Sequence, residues 1–163
     1  MDSGDLRKIG MMPSVFDRIV DPESLGTRAR PGFSVDDLVA SVRRDVEDLL
    51  NTRQNQDRTI EEFPQLAGSV YRFGLPEMVS MRASSPEDRQ KIGRVLEKII
   101  GQYEPRLSNI RAVLVGDTKD TKHGTVNFRI EAKLRLDPAP EVVFETLLEF
   151  ATGQTRIEET SLR

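Results

Sequence analysis

A chain of 163 residues, 37% hydrophobic and 31% charged, is long enough for one domain that folds without disulfide or metal staples. Its 24 basic and 27 acidic side chains leave a net charge of −3, which speaks against a general nucleic-acid or anionic-membrane binder. No cysteine occurs and His123 is the single histidine, which excludes disulfides, thiolate chemistry, cysteine metal sites and two-histidine zinc sites.

The amino terminus, MDSGDLRKIGMMPSVFDRI, has no apolar run long enough for a signal-peptide core, and no later stretch is apolar enough to span a bilayer. A cytoplasmic protein without membrane insertion is the expectation. Residues 1–12 read as a polar tail. Pro13–Asp21 predicts a short helix with Val15, Phe16, Ile19 and Val20 on one side, and Asp21–Gly32 a loop.

Ser34 is an N-cap with Asp37 three residues on, and Val35, Leu38, Val39, Val42, Val46, Leu49 and Leu50 then recur at helical spacing. This first long helix is expected to end near Asn51–Arg53, with Arg43 and Arg44 on its wet face. Gln54–Ser80 has no sustained period, but its apolar residues point to an ordered connection packed against the body. Within it, Gly74–Leu75–Pro76 suggests a bend whose glycine takes positive φ.

Ser85 and Pro86 open a second long helix with Ile92, Val95, Leu96, Ile99, Ile100 and Tyr103 as its buried stripe, and Pro105 stops it at Glu104. Leu107–Val115 predicts a strand and Gly116–Gly124 a turn-rich loop. In Thr125–Leu136, Val126, Phe128, Ile130, Ala132, Leu134 and Leu136 face one way and polar residues the other. Glu141–Phe150 favours a third strand through its valines, phenylalanine and threonine. The expectation is an α+β domain: two main helices on a small antiparallel sheet of about three strands, spanning residues 13–150, with polar tails at 1–12 and 151–163.

The tripeptide Glu104–Pro105–Arg106 breaks a local rule, because a carboxylate at a helix C-terminus opposes the macrodipole. Three readings are open. Glu104 as a glycosidase acid requires a second carboxylate about 5–9.5 Å away; none can be assigned, tryptophan is absent, and an adjacent Arg106 moves the acid's pKa the wrong way. A helix stop with a surface ion pair explains Pro105 but not the acid. A dock for another chain explains both. His123 with Lys119 and Lys122 reads as a solvated hairpin tip. No phosphate loop, serine elbow or acidic metal cluster appears, so neither enzymatic activity nor a cofactor is indicated.

Four stretches, PSVFDRI, SVRRDVEDLLNTR, SVYRFGLPEM and IIGQYEPRL, together with VNFRIEAKLRLDPAPEVVFET, resemble one family over about residues 13–150. It is the TssE baseplate subunit family of bacterial type VI secretion systems, the secretion branch of the phage baseplate-wedge family once labelled lysozyme-like. The resemblance implies an assembly role in the cytoplasmic baseplate, with no catalysis and no cofactor. It implies docking of Glu104, Pro105 and Arg106, and of Gly74, Leu75 and Pro76, onto partners. Those partners are the wedge proteins TssF and TssG, TssK, and the sheath proteins TssB and TssC, whose first ring the subunit templates. Phe73 stands where the family's YGLP-like motif has tyrosine. Glu104 and Arg106 are then expected to face outward, with a sheath strand added at an exposed sheet edge. The alternatives are a peptidoglycan glycosidase using Glu104 and a baseplate subunit of another contractile injection system.

Overall fold

The Ser34 side chain accepts the Asp37 N–H at 3.1 Å and the Asp37 carboxylate accepts the Ser34 N–H at 2.9 Å, a capping box that starts a 17-residue helix. The computed structural model describes residues 13–20, 34–57, 62–77, 85–115, 125–149 and 152–162. Among them, three helices precede four strands: α1 (Val15–Val20), α2 (Val35–Asn51), α3 (Pro86–Tyr103), β1 (Leu107–Val115), β2 (Thr125–Leu134), β3 (Glu141–Glu149) and β4 (Gln154–Leu162). Two short 3-10 turns, Pro64–Gly68 and Val70–Arg72, lie in the connection between α2 and α3. The expected tail at residues 1–12 and the His123 loop with Lys119 and Lys122 lie outside the described residues.

The strands form one antiparallel sheet in the order β1-β2-β3-β4. On its inner face Phe128 pairs with Leu114 and Thr146, and Ile130 with Ala112 and Phe144. Both helices pack there: α3 runs along β1, and α2 along β4. Leu38, Val42, Val46, Leu49 and Leu50 of α2 meet Ile92, Leu96 and Ile100 of α3 and the inner side chains of the sheet in one core. Each such side chain contributes roughly 1.5–3 kcal/mol through burial. The opposite face is wet and crossed by ion pairs between Arg129 and Glu145 and between Lys133 and Glu141. Two bulges shape the edge strands. In β1 the register shifts between Ser108 and Arg111, where Asn109 takes φ 53°, and in β4 it shifts opposite Glu145 and Thr146.

The sheet corrects the expected fold. Four strands stand where about three were predicted, and the short helix expected over Pro13–Asp21 forms as α1 beside the two main helices. The residues expected as a polar C-terminal tail form β4 at the sheet edge. Its inner face carries only Thr155, Ile157 and Thr160 before Leu162, too little apolar content to read as a strand. Thr155 and Ile157 are nevertheless 4% and 1% exposed. Pairing with β3 and side chains of α2 supply what hydrophobicity does not.

Candidate functional site

Pro105 ends α3, and Glu104 caps it with φ −116° and ψ 80°, outside helical geometry, while its N–H still donates to the Ile100 carbonyl at 2.8 Å. The chain then turns sharply into β1, since the Leu107 N–H donates to the Glu104 carbonyl at 3.1 Å. This places Arg106 beside Glu104. The Arg106 backbone N–H and Nε donate to Glu104 Oε1 at 3.1 and 2.7 Å, and Nη2 pairs with Oε2. Both oxygens of a carboxylate that is only 4% exposed are thus occupied by one guanidinium.

Arg106 then reaches across to α2. Nη1 donates to Ser41 Oγ at 3.0 Å and Nη2 to Asp45 Oδ2 at 2.6 Å. Ser41 and Asp45 are one helical turn apart and share a face. Burial works against charge on Arg106, but pairing with Glu104 and Asp45 more than offsets it and raises its pKa. The expectation that both charged side chains face outward is therefore corrected. The corner turns inward as a clamp between the end of α3 and the middle of α2.

The polar cluster continues toward the amino terminus. Ser41 Oγ donates to Asp17 Oδ2 at 2.6 Å, and Arg44 bridges Asp17 Oδ1 at 2.6 Å to Asp45 Oδ1 at 2.7 Å. Asp17 also forms a capping box with Ser14, which fixes the start of α1. Burial would raise the Asp17 pKa, yet hydrogen bonds from Arg44, Ser41 and Ser14 outweigh it and hold the carboxyl well below the usual range. The Arg44 guanidinium lies 5.0 Å over the Phe16 ring. Arg43, expected on a wet face with Arg44, instead donates to the Ile157 carbonyl of β4 at 2.6 Å.

Held this way by its polar side, α1 buries none of its residues. Val15, Phe16, Ile19 and Val20 are 64, 57, 76 and 61% exposed. Four apolar side chains presented together beside a charged cluster are an unusual surface for an isolated protein and a common one for a docking patch.

The second predicted group, Gly74–Leu75–Pro76, serves the other end of α2. Leu75 forms a parallel bridge with Arg53: its N–H donates to the Thr52 carbonyl, and its carbonyl accepts from Gln54 N–H, both at 2.8 Å. Gly74 takes φ +112°, as its sequence context predicted, and a Cβ there would stand 2.4 Å from the Thr52 carbonyl oxygen. Leu75 is 6% exposed and belongs to the core. Tyr103 closes the same region against α3: its hydroxyl donates to the Ser69 carbonyl at 3.1 Å, and its ring meets Phe73 edge-on at 5.3 Å. No hydrogen bond or ion pair among the described residues joins this segment to Glu104 or Arg106. Of the residues that complete the corner, Arg44 reads from sequence only as part of a wet helix face, and nothing in the sequence singles out Asp17, Ser41 or Asp45 as site residues. The spacing of Ser41 and Asp45 on α2 was the one available signal.

A family model described as baseplate wedge protein gp25 matches residues 36–139. The chain belongs to the gp25 baseplate wedge family. The matched span runs from the first turn of α2 to the turn after β2 and includes the whole Glu–Pro–Arg corner. Two parts of the fold, α1 with its Asp17 clasp and the β3–β4 hairpin, lie outside it. No curated protein and no solved structure matches the chain. Membership makes the protein a baseplate component of a contractile injection system that interacts with other baseplate or tail proteins. Among the described residues no helix is long and apolar enough to cross a membrane, and no group of His, Cys, Asp or Glu is arranged to hold a metal ion.

Proposed function

We propose that the protein is the TssE subunit of a bacterial type VI secretion baseplate, a non-enzymatic cytoplasmic adaptor. It docks on the wedge proteins TssF and TssG, contacts TssK, and templates the first ring of the TssB–TssC sheath. One observation carries the docking part of this reading: the exposed apolar stripe of α1, pinned by Asp17 to the cluster built on Glu104 and Arg106. Glu104 and Arg106 serve docking by fixing that surface, with Arg44 and Asp45 as its polar rim. Sheath templating is assigned to strand addition at a sheet edge. On β4 the Thr155 and Ile157 backbone is already bonded by Asn51 and Arg43, which leaves β1 as the better candidate.

As a catalytic acid, Glu104 would have to leave Arg106 before it could donate a proton, and it has almost no contact with solvent. A peptidoglycan-release assay on purified protein is expected to show nothing.

The test is a pull-down of tagged protein from the source bacterium, with mass spectrometry of what co-purifies. Ile19→Asp and Phe16→Asp change exposed side chains and leave the core intact, so loss of wedge proteins from folded variants supports the reading. Unchanged capture removes α1 from the dock. Wedge and sheath proteins of a phage-like particle in place of TssF, TssG, TssB and TssC would assign the chain to another contractile system.

A further inference from the structure

Along β1, Ala112 donates its N–H to Glu97 of α3 at 2.9 Å, and a Cβ on Gly93 would lie 3.2 Å from the Ala112 carbonyl oxygen. Both backbone polar groups of Ala112 therefore point away from β2. Antiparallel pairing alternates residue by residue, so those of Leu114 point the same way. Beyond Glu97 the edge opens into a groove lined by Pro86, Arg89, Gln90, Arg94, Val113 and Leu114. Arg89 is 6% exposed, its Nε is buried without a hydrogen-bond partner, and no described residue pairs with its side chain. Its Nε, shut away from solvent without an acceptor among the described residues, carries an unmet hydrogen-bond cost that an incoming carboxylate recovers. Leu114 is 38% exposed and Val113 45%, so the groove also offers apolar contact.

From this juxtaposition we infer that the groove between α3 and β1 binds an extended peptide segment of a partner protein. Its main chain pairs with Leu114, and an Asp or Glu side chain reaches Arg89, with Arg94 at the rim. Glu97, committed to Ala112, marks where the added strand stops. The charge complementarity selects an acidic strand over a neutral or basic one. The inference rests on the strand-addition reading above and names its edge and the chemistry of its partner.

Two blocked heptapeptides of alternating threonine and valine, identical except for a central Glu or Gln, serve as probes, with sodium acetate as a third. Titrated into nitrogen-15-labelled full-length protein, the Glu peptide should shift the Leu114 amide and the Arg89 Nε–H. It should bind about tenfold or more tightly than the Gln peptide, as a charge-assisted hydrogen bond requires. Arg89→Gln should remove that discrimination, and Leu114→Pro should abolish binding of both peptides. Should Arg89→Gln fail to fold, the peptide pair on the unaltered protein and Leu114→Pro decide the matter. Equal binding of the two peptides, shifts confined to β4, or no peptide binding at millimolar concentration each overturn the inference. Response to acetate alone makes the site one for small anions and overturns it too. If peptide discrimination fails while wedge capture persists, the groove is wrong and the baseplate reading stands. Loss of wedge and sheath capture by the unaltered protein removes the baseplate reading itself.

Discussion

Asn51 and Thr155 exchange two hydrogen bonds at 2.8 Å, side-chain amide to backbone carbonyl and backbone N–H to side-chain carbonyl. The last residue of α2 thereby stands in for one residue of a fifth strand. It satisfies the outward backbone groups of Thr155 and blocks the edge of β4 at that residue. Asn51→Leu removes both bonds and is expected to cost about 1–2 kcal/mol. Hydrogen exchange should then quicken at Thr155 and along β4 while β2 stays protected. Equal protection of β4 in variant and parent would show that pairing with β3 alone holds the strand.

Gly74 cannot carry a side chain, because its φ is +112° and the Thr52 carbonyl fills the space a Cβ needs. Gly74→Ala must either strain the backbone or give up the bonds between Leu75 and Thr52 and between Gln54 and Leu75. The expected loss is about 2–4 kcal/mol, read as a lower urea midpoint with unchanged slope. Because Leu75 belongs to the core, this variant weakens the fold, and any lost partner binding must be read against that.

What was legible in the sequence was what repeats locally. The seven apolar positions from Val35 to Leu50 wrote α2, alternation wrote β2, and the Phe73–Pro76 context called for the positive φ of Gly74. The fourth strand was hidden because Thr155, Thr160 and the charged residues between them carry little burial signal. It is held by pairing with β3 and by Asn51 and Arg43, roughly a hundred residues away in the chain. The Glu–Pro–Arg corner stands out in the sequence because its acid opposes the macrodipole, but its expected outward orientation is the reverse of the one the fold adopts. A carboxylate at a helix C-terminus does need a counter-charge. Arg106 supplies it within the chain, and Asp45 and Ser41 turn Arg106 toward α2. Nothing periodic links residues 17, 41, 45 and 106, so only the folded chain brings them together.

The clamp has a consequence for mutagenesis. Arg106 has a side-chain exposure of 18% and Glu104 5%, so removing one partner leaves the other charged and largely dry. Arg106→Met is expected to cost about 3 kcal/mol, whereas Glu104→Gln and Arg106→Met together cost less than the sum of the two single changes. Chemical denaturation of the four proteins in a double-mutant cycle measures the difference. Additive losses would mean that the two side chains act independently. Wedge capture should track stability across this set, while variants at Phe16 and Ile19 lose capture at full stability.

Asp17 makes the docking of α1 dependent on pH. Burial alone would raise its pKa, but hydrogen bonds from Arg44, Ser41 and Ser14 hold the folded value well below that of an unfolded carboxyl. A depressed folded pKa means that the stabilisation is complete above about pH 4, the unfolded value, and fades as pH falls toward the folded one. A helix of six residues has little stability of its own, so α1 should detach before the core unfolds. Amide signals of Phe16 and Ile19, followed by NMR from pH 6 to pH 2, should move toward random-coil positions in the acid limb while those of Ile130 and Phe144 hold. Asp17→Asn removes the charge that Arg44 pairs with, so its α1 should already be loosened at pH 6 and respond weakly to acid. If the parent and Asp17→Asn show the same acid dependence at Phe16, the Asp17 clasp does not hold the helix, and Arg44 stacking on Phe16 becomes the contact to test.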